Sequence, residues 1–198
     1  MNVFGHVGLT LAVAYGADRL VRERLAGVRP GARVSRPDRL KGRLLRPIDY
    51  RIVVVAALLA DLIDKPLGFW LAPELVNHGT RSFAHTVVFA IALLIAATLA
   101  SSSWTNRLLV VSLASAWHLV LDQMWRTREV ALWPFYGWTF PTVGERVFSE
   151  YSGSYLSRLA EFYKEPWELA GAVVILLFVA RIAFRRDFKA FIRSGSVG

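Results

Sequence analysis

The chain has 198 residues and a net charge of +9, is 55% hydrophobic and contains no cysteine. This length fits one domain, and the lack of cysteine excludes disulfides and thiolate ligands, so a metal site must use His, Asp, Glu or water. The mean hydropathy of +0.39 is high for a soluble protein. It fits a small membrane protein with one large polar loop.

Five apolar segments follow one another along the chain, and most are near the ~20 residues that a helix needs to cross a bilayer. They cover about 3–17, 48–70, 83–100, 108–125 and 167–184. The first is short and extends into the amphipathic RLVRERL that follows it. The sequence therefore predicts an all-α fold, a polytopic membrane helix bundle with about five transmembrane helices in a single domain over residues 1–198.

The loops between these segments predict an orientation. A loop at 18–51 contains eleven Lys and Arg residues, and a second loop at 126–165 is rich in aromatic residues. Five spans place three segments on the same side of the membrane: the basic loop, the 101–107 turn and the tail from 181. That side has 17 basic and 5 acidic residues, and the opposite side has 7 basic and 10 acidic residues. The positive-inside rule places the basic loop and the C-terminus in the cytoplasm, with the N-terminus and the aromatic loop outside. The basic loop is interpreted as a topology determinant attracted to anionic lipid, so no nucleic-acid partner is expected.

Ionisable residues inside these segments form a layer. A helix rises ~1.5 Å per residue, which places these residues ~15 to 24 Å above the predicted cytoplasmic ends of their segments. They therefore lie in the outer half of a hydrocarbon core about 30 Å thick. The residues are His6, Asp61, Asp64, His85, His118 and Asp122. Such groups are costly in lipid, so we expect them to face the bundle interior and to pair or bind something.

The spacing of these residues favours a metal centre. His118 and Asp122 are four residues apart and share a helix face, as do the Asp61 and Asp64 pair at i, i+3. Carboxylates and imidazoles suit zinc, manganese or iron.

Simpler interpretations remain for each residue taken alone. Lys65 or Arg81 is a potential partner for the Asp61 and Asp64 carboxylates, and a single membrane histidine often hydrogen-bonds a neighbouring helix. His78 lies in a loop and is either a ligand or a surface residue. Because several spans contribute at once, a metal or catalytic centre is the preferred hypothesis.

Five short motifs resemble those of the YdjM-like family of inner-membrane metal-dependent hydrolases. The motifs are GH at 5–6, DLID at 61–64, RSFAHT at 81–86, HLVLD at 118–122 and LWPF at 132–135. The family usually has a segment like HRGxTHS. Arg81 and His85 match it, whereas Thr86 replaces the Ser and Thr80 stands at the first His. His78, two positions earlier, is the other histidine of this region.

The family is itself similar, distantly, to zinc-dependent phospholipase C and the S1/P1 nucleases, which hold clustered zinc ions through residues that include an HxxxD pair. His118 and Asp122 fit that pair. No histidine follows residue 118. The resemblance therefore implies one metal site or two, and not a complete three-zinc cluster.

The resemblance and the layer together suggest a membrane hydrolase of the plasma (inner) membrane that cleaves a phosphoester in a lipid-type substrate. The metal ligands would be Asp61, His85, His118 and Asp122, with Asp64 bridging or in a supporting position and His6 on a second ion. The cofactor would be a divalent metal, zinc first, with manganese and iron as alternatives. Asp64 or Asp61 would act as general base, and Arg81 would bind a phosphate.

Two other functions remain open at this point. Buried Asp and His also form proton relays in ion-coupled transporters, and a metal with a closed ligand shell would be structural in a non-enzymatic membrane protein. The outer aromatic residues are expected either to anchor the protein at the headgroup zone or to cover the site. They are Trp133, Phe135, Tyr136, Trp138 and Phe140.

Overall fold

The computed structural model describes residues 3–25, 48–100, 102–142, 161–185 and 188–197, and all regular structure in these ranges is helical. The α-helices are α1 (Val3–Leu25), α2 (Tyr50–Ala57), α3 (Leu59–Pro66), α4 (Val87–Leu99), α5 (Ser102–Leu121), α6 (Arg128–Ala131), α7 (Pro166–Phe184) and α8 (Phe188–Ser194). The all-α prediction is confirmed for these residues. The centre of the basic loop, 26–47, and residues 143–160 of the aromatic loop lie outside the described ranges.

Helices α1 and α7 pack side by side and run in the same direction. Their contact is made by glycines: a Cβ added at Gly8 would lie 2.1 Å from the carbonyl oxygen of Gly171, and one added at Gly171 would lie 2.1 Å from that of Phe4. Near the other end of this contact, the Arg181 guanidinium lies 5.2 Å from the centre of the Tyr15 ring. This packing brings the N-terminal ends of both helices to the same end of the bundle.

The second apolar segment is not one continuous helix. At Leu58 the backbone leaves the helical region (φ −108°, ψ 0°), which separates α2 from α3. Past Pro66 the chain forms a π-helical turn at Leu67–Leu71 and a 3-10 turn at Pro73–Val76, then crosses irregularly to the 3-10 turn Phe83–His85. Thr86 then caps α4 by accepting a hydrogen bond from the Phe89 N–H at 3.0 Å. These interruptions shape the part of the chain that carries the layer residues.

The number of transmembrane spans is not confirmed by helix length. Within the described residues, only α7 is both long enough and apolar enough to cross a membrane, with a mean hydropathy of 2.0. Shorter apolar stretches cover Val87–Leu99 and Asn106–Leu121. The third segment is short because its first residues, from Phe83, form a turn that positions His85 instead of continuing the helix.

Large apolar side chains on the outside of the bundle match a lipid environment. On α7, Leu176 and Leu177 are 67% and 65% exposed, and Ile91 and Ile95 on α4 are 49% and 53% exposed. The buried interior, by contrast, contains His, Asp, Glu, Ser and Thr side chains. Polar groups that are collected inside an apolar exterior are the arrangement expected when lipid replaces water as solvent.

Candidate metal centre

The two aspartates of the DLID motif both point into the protein from α3. Asp61 is 8% exposed and Asp64 fully buried. Asp61 Oδ2 accepts a hydrogen bond from Lys65 Nζ at 2.8 Å. The ion pair between Asp61 and Lys65, one of the simpler interpretations of the sequence, is therefore present. It uses only the Oδ2 oxygen of Asp61. The other oxygen, Oδ1, faces His85 Nε2 at 3.6 Å.

Asp64 organises the turn that carries His85. Its carboxylate accepts hydrogen bonds from the backbone N–H groups of Ser82 at 2.7 Å, Ala84 at 3.1 Å and His85 at 3.2 Å. Its Oδ2 also lies 2.8 Å from His85 Nδ1. Because this side chain acts as acceptor for all three N–H groups, we assign His85 Nδ1 as the donor of this bond. A carboxylate behind a histidine in this way fixes the ring orientation and its tautomer, as the supporting partners of metal-binding histidines do.

The orientation of the His118 ring is also fixed by a hydrogen bond from its Nδ1, but the acceptor is a backbone carbonyl oxygen and not a carboxylate. His118 Nδ1 lies 2.8 Å from the carbonyl oxygen of Ala57, next to the break between α2 and α3. A carbonyl oxygen only accepts, so Nδ1 carries the hydrogen. In a neutral imidazole the other nitrogen is then an acceptor. The Nε2 atoms of His118 and His85 face each other at 3.3 Å, so when both rings are neutral and donate through Nδ1, each directs its Nε2 lone pair at the other.

Asp122 joins this pair from the end of α5. Its Oδ2 lies 3.7 Å from His85 Nε2 and accepts from Arg81 Nη2 at 2.9 Å. Its Oδ1 lies 3.0 Å from His6 Nε2. The His6 ring is fully buried and stacks on that of His118, with centroids 4.0 Å apart. Within the described residues neither His6 nitrogen has a hydrogen bond of good geometry, so the contact with Asp122 is a close approach and not a hydrogen bond.

These distances fit a cation at the centre of the cluster. Two facing lone pairs with carboxylate oxygens beside them repel one another unless a proton or a metal ion lies between them. Two nitrogens bound to one zinc at about 2.0–2.1 Å in a tetrahedron are about 3.3 Å apart. The separation of the two Nε2 atoms is 3.3 Å. The donor set of imidazoles and carboxylates suits zinc, manganese or iron.

Two overlapping groups of potential ligands contain the same histidine. One comprises His6, His118 and Asp122 and the other Asp61, His85 and His118, with the ligand atoms of each group within 4.8 Å of one another. An imidazole nitrogen has a single lone pair, so His118 Nε2 binds one ion at a time. The cluster therefore offers one full site, and a second ion would have to bind without His118.

The remaining predicted residues divide between this cluster and other positions. Arg81, with its side chain 42% exposed, pairs with Asp122 and not with the DLID carboxylates. His78 lies 3.4 Å from Glu74 and is not part of either ligand group. Asp64 is also outside both groups, because its oxygens face the 82–86 turn.

The aromatic loop supports the site on one side. Phe83, two residues before His85, packs edge-to-face on Trp133 at 5.4 Å and on Phe140 at 4.9 Å. In contrast, Phe135, Tyr136 and Trp138 are exposed. Of the five rings named from the sequence, two therefore buttress the turn that carries His85 and three face outward, whereas the sequence left anchoring and covering open for all five.

One buried acid was not found from the sequence. Glu168, in the first turn of α7, is 1% exposed and accepts a hydrogen bond from the Gly5 N–H at 3.1 Å. This bond fixes the start of α1 directly before His6. The acid two residues after Pro166 is an ordinary helix-start pattern, and its burial becomes evident only when α1 packs on α7.

Together these side chains form a buried histidine and carboxylate centre at one end of a helical membrane-type bundle. The chain belongs to the YdjM inner membrane protein family, whose family model matches residues 1–188. The prediction of an inner-membrane protein is thereby confirmed. No curated protein and no solved structure matches the chain.

Proposed function

We propose that this protein is a metal-dependent hydrolase of the inner membrane that cleaves a phosphoester in a lipid-type substrate. The observation that carries the proposal is the pair of imidazole nitrogens, His85 Nε2 and His118 Nε2, facing each other at 3.3 Å between carboxylates, while both Nδ1 atoms face acceptors. Three carboxylates, Asp61, Asp64 and Asp122, lie around this pair against two fixed cations, Lys65 on Asp61 and Arg81 on Asp122, so a further cation would balance the remaining negative charge.

Four residues are proposed to hold one divalent ion, zinc in the first instance: Asp61, His85, His118 and Asp122. Asp122 also links the ion to His6, which we assign to the same centre and not to a separate second ion. When bound, the metal would lower the pKa of a coordinated water and polarise the scissile bond. Manganese and iron have compatible ligand preferences.

The other polar residues have roles that follow from their partners. Asp64 orients His85 and holds the 82–86 turn with its occupied oxygens, so we assign it a positioning role and not that of general base. Arg81 is partly exposed and already points its guanidinium at the centre through Asp122. A guanidinium at that position is suited to bind a substrate phosphate, since its remaining N–H groups are arranged for two parallel hydrogen bonds.

A lipid substrate is proposed because the centre lies inside a membrane protein. Arg81 supplies a partly exposed cation at the edge of the centre, and exposed aromatic residues such as Trp138 extend from the neighbouring loop. Aromatic side chains of this kind favour the headgroup zone, where the phosphoesters of lipids are found. The HxxxD pair of α5, shared in pattern with zinc-dependent phospholipase C, points to the same chemistry.

A proton relay is the competing function with a specific observation in its favour. A single proton between His85 Nε2 and His118 Nε2 would also relieve the facing lone pairs. Metal content separates the two hypotheses. Measurement of turnover distinguishes a catalytic metal from a structural one, because a centre with a closed ligand shell would bind metal without hydrolysing any lipid.

The first test is the metal content of the protein purified in detergent without chelator, measured by plasma mass spectrometry. We expect close to one zinc, manganese or iron ion per chain, and its loss in His118→Ala and Asp122→Ala. His78→Ala is the matched control, because it removes a histidine that lies outside the cluster and should retain the metal. Wild-type protein that binds no metal, even after incubation with all three ions, would refute the hydrolase proposal.

The second test is turnover of phosphoester lipids by the metal-loaded protein. Arg81→Gln should retain the metal yet lower kcat/KM by about tenfold or more, the effect of losing one charged contact worth about 1.5–3 kcal/mol. Metal-loaded wild type without activity on any phospholipid or polyprenyl phosphoester would favour the structural role.

A further inference from the structure

An apolar groove lies between α4 and α5 on the outside of the bundle. Its volume is about 520 Å³, within the ~300–1,000 Å³ typical of ligand sites. Small residues, Ala90, Ser112 and Ala116, line it alongside Ile91 and Leu113, which are largely exposed. The Ser112 hydroxyl donates to the Ala90 carbonyl oxygen at 3.2 Å, so this polar side chain is satisfied within the protein. The groove therefore presents hydrocarbon to its contents.

One end of the groove lies at the level of the candidate metal centre along the helices. Val87, which lines it, follows His85 by two residues, and Leu119 and Val120 lie between His118 and Asp122 on α5. The other end is lined by Leu94, two helical turns or about 10 Å further along α4. The groove thus runs along both helices for about 10 Å, and one of its ends lies at the level of the metal ligands.

Among the described residues that line the groove, one carries a charge, Arg128 at the start of α6. Arg128 is exposed, and Trp125 lies on the same lining. Arg128 follows α5 past Asp122 and so belongs to the end of the groove near the centre. A cation and an indole at the mouth of a hydrocarbon groove complement a lipid with a phosphate at its head.

We propose that this groove binds the hydrocarbon chain of a phosphate-bearing lipid, with Arg128 contacting the phosphate. The identification of that lipid as the substrate rests on the proposed hydrolase function, whereas the binding itself does not. The groove differs from the general lipid-facing surface in having a recessed floor of small residues and one cation at its end. The exposed Leu176 and Leu177 of α7 do not line it and serve as a bulk-lipid reference.

The test is photo-crosslinking with an alkyl phosphate that carries a diazirine on its chain, using the full-length protein in nanodiscs of digalactosyl diacylglycerol, a bilayer lipid without phosphate. Labelled positions are mapped by peptide mass spectrometry, with and without excess unlabelled alkyl phosphate. We expect labelling at Leu113 and Val120 to saturate and to be competed away. Labelling at Leu176 and Leu177 should rise linearly and resist competition.

Two variants sharpen this result. Arg128→Gln should weaken competition at the groove by about tenfold, as expected for the loss of one charge-assisted contact. Ala116→Trp, at an exposed position on the groove wall, should fill the groove and abolish saturable labelling, while Leu176→Trp is the matched control on α7. The competition on the wild-type protein needs no variant, so a folding defect in either one leaves the test intact.

The outcome is independent of the metal proposal, because labelling is repeated after chelation and the metal content is measured separately. Saturable groove labelling in a protein that binds no metal would support the lipid site and refute only the hydrolase. Groove labelling that is linear and equal to that of α7, in a protein that does bind metal, would overturn the lipid site alone.

Discussion

The most direct test of how the site is built is Asp64→Asn. The change keeps the shape of the side chain but removes a charge that receives three backbone N–H groups and His85 Nδ1. An asparagine has one acceptor oxygen, so at least one donor now meets an NH2 group. At about 1.5–3 kcal/mol for each hydrogen bond to a charged group, and with part of the set retained, we expect a loss of about 2–4 kcal/mol in the free energy of unfolding.

The same substitution should also weaken metal binding, because His85 loses the partner that fixes its tautomer. Changes of such supporting residues typically lower metal affinity by about 10–100-fold, which corresponds to about 1.4–2.7 kcal/mol. The assay is zinc competition against a chelating dye in detergent, together with thermal unfolding.

Asp49→Asn is the matched control for Asp64→Asn. Asp49 is also a carboxylate with a backbone donor, the Arg51 N–H at 3.1 Å, but it caps α2 outside the cluster. It should lower stability without changing zinc affinity. Asp64→Asn protein that is folded and binds zinc as tightly as wild type would refute the assignment of Asp64 as the residue that orients His85.

Two further predictions concern stability. Lys65→Met removes the partner of the buried Asp61 and should destabilise the metal-free protein by about 3–5 kcal/mol, with most of the loss recovered when zinc is added, since the ion then neutralises the carboxylate. Thermal unfolding with and without zinc measures this, and a loss that zinc leaves unchanged would contradict it. Gly171→Ala places a methyl group against the backbone of α1 and should cost about 1–3 kcal/mol. Gly16→Ala, at a helical glycine with nothing within 4 Å, should instead stabilise by about 0.5–1 kcal/mol. Equal effects of these two glycine changes in the same unfolding assay would show that close packing of α1 on α7 is absent.

The sequence by itself determined the helical class, the membrane setting and most of the residues at the centre. Long apolar runs interrupted by His and Asp are a local signal, because a charged group in lipid is costly wherever it occurs. His6, Asp61, His85, His118 and Asp122 were found in this way, and the structure brings them into one cluster. Family membership was likewise readable from short ordered motifs.

Only the tertiary structure decided which polar atom faces which. The sequence left Asp64 open as ligand, base or supporting residue, and its place behind His85 depends on how the backbone turns at Ser82–His85. Arg81 reaches Asp122 because that turn lies against the end of α5, a contact that no periodicity encodes. Glu168 is buried only because glycines let α1 and α7 approach closely. Hydrophobic pattern specifies which face of a helix is inside, whereas the pairing of buried polar groups depends on contacts between residues distant in the chain.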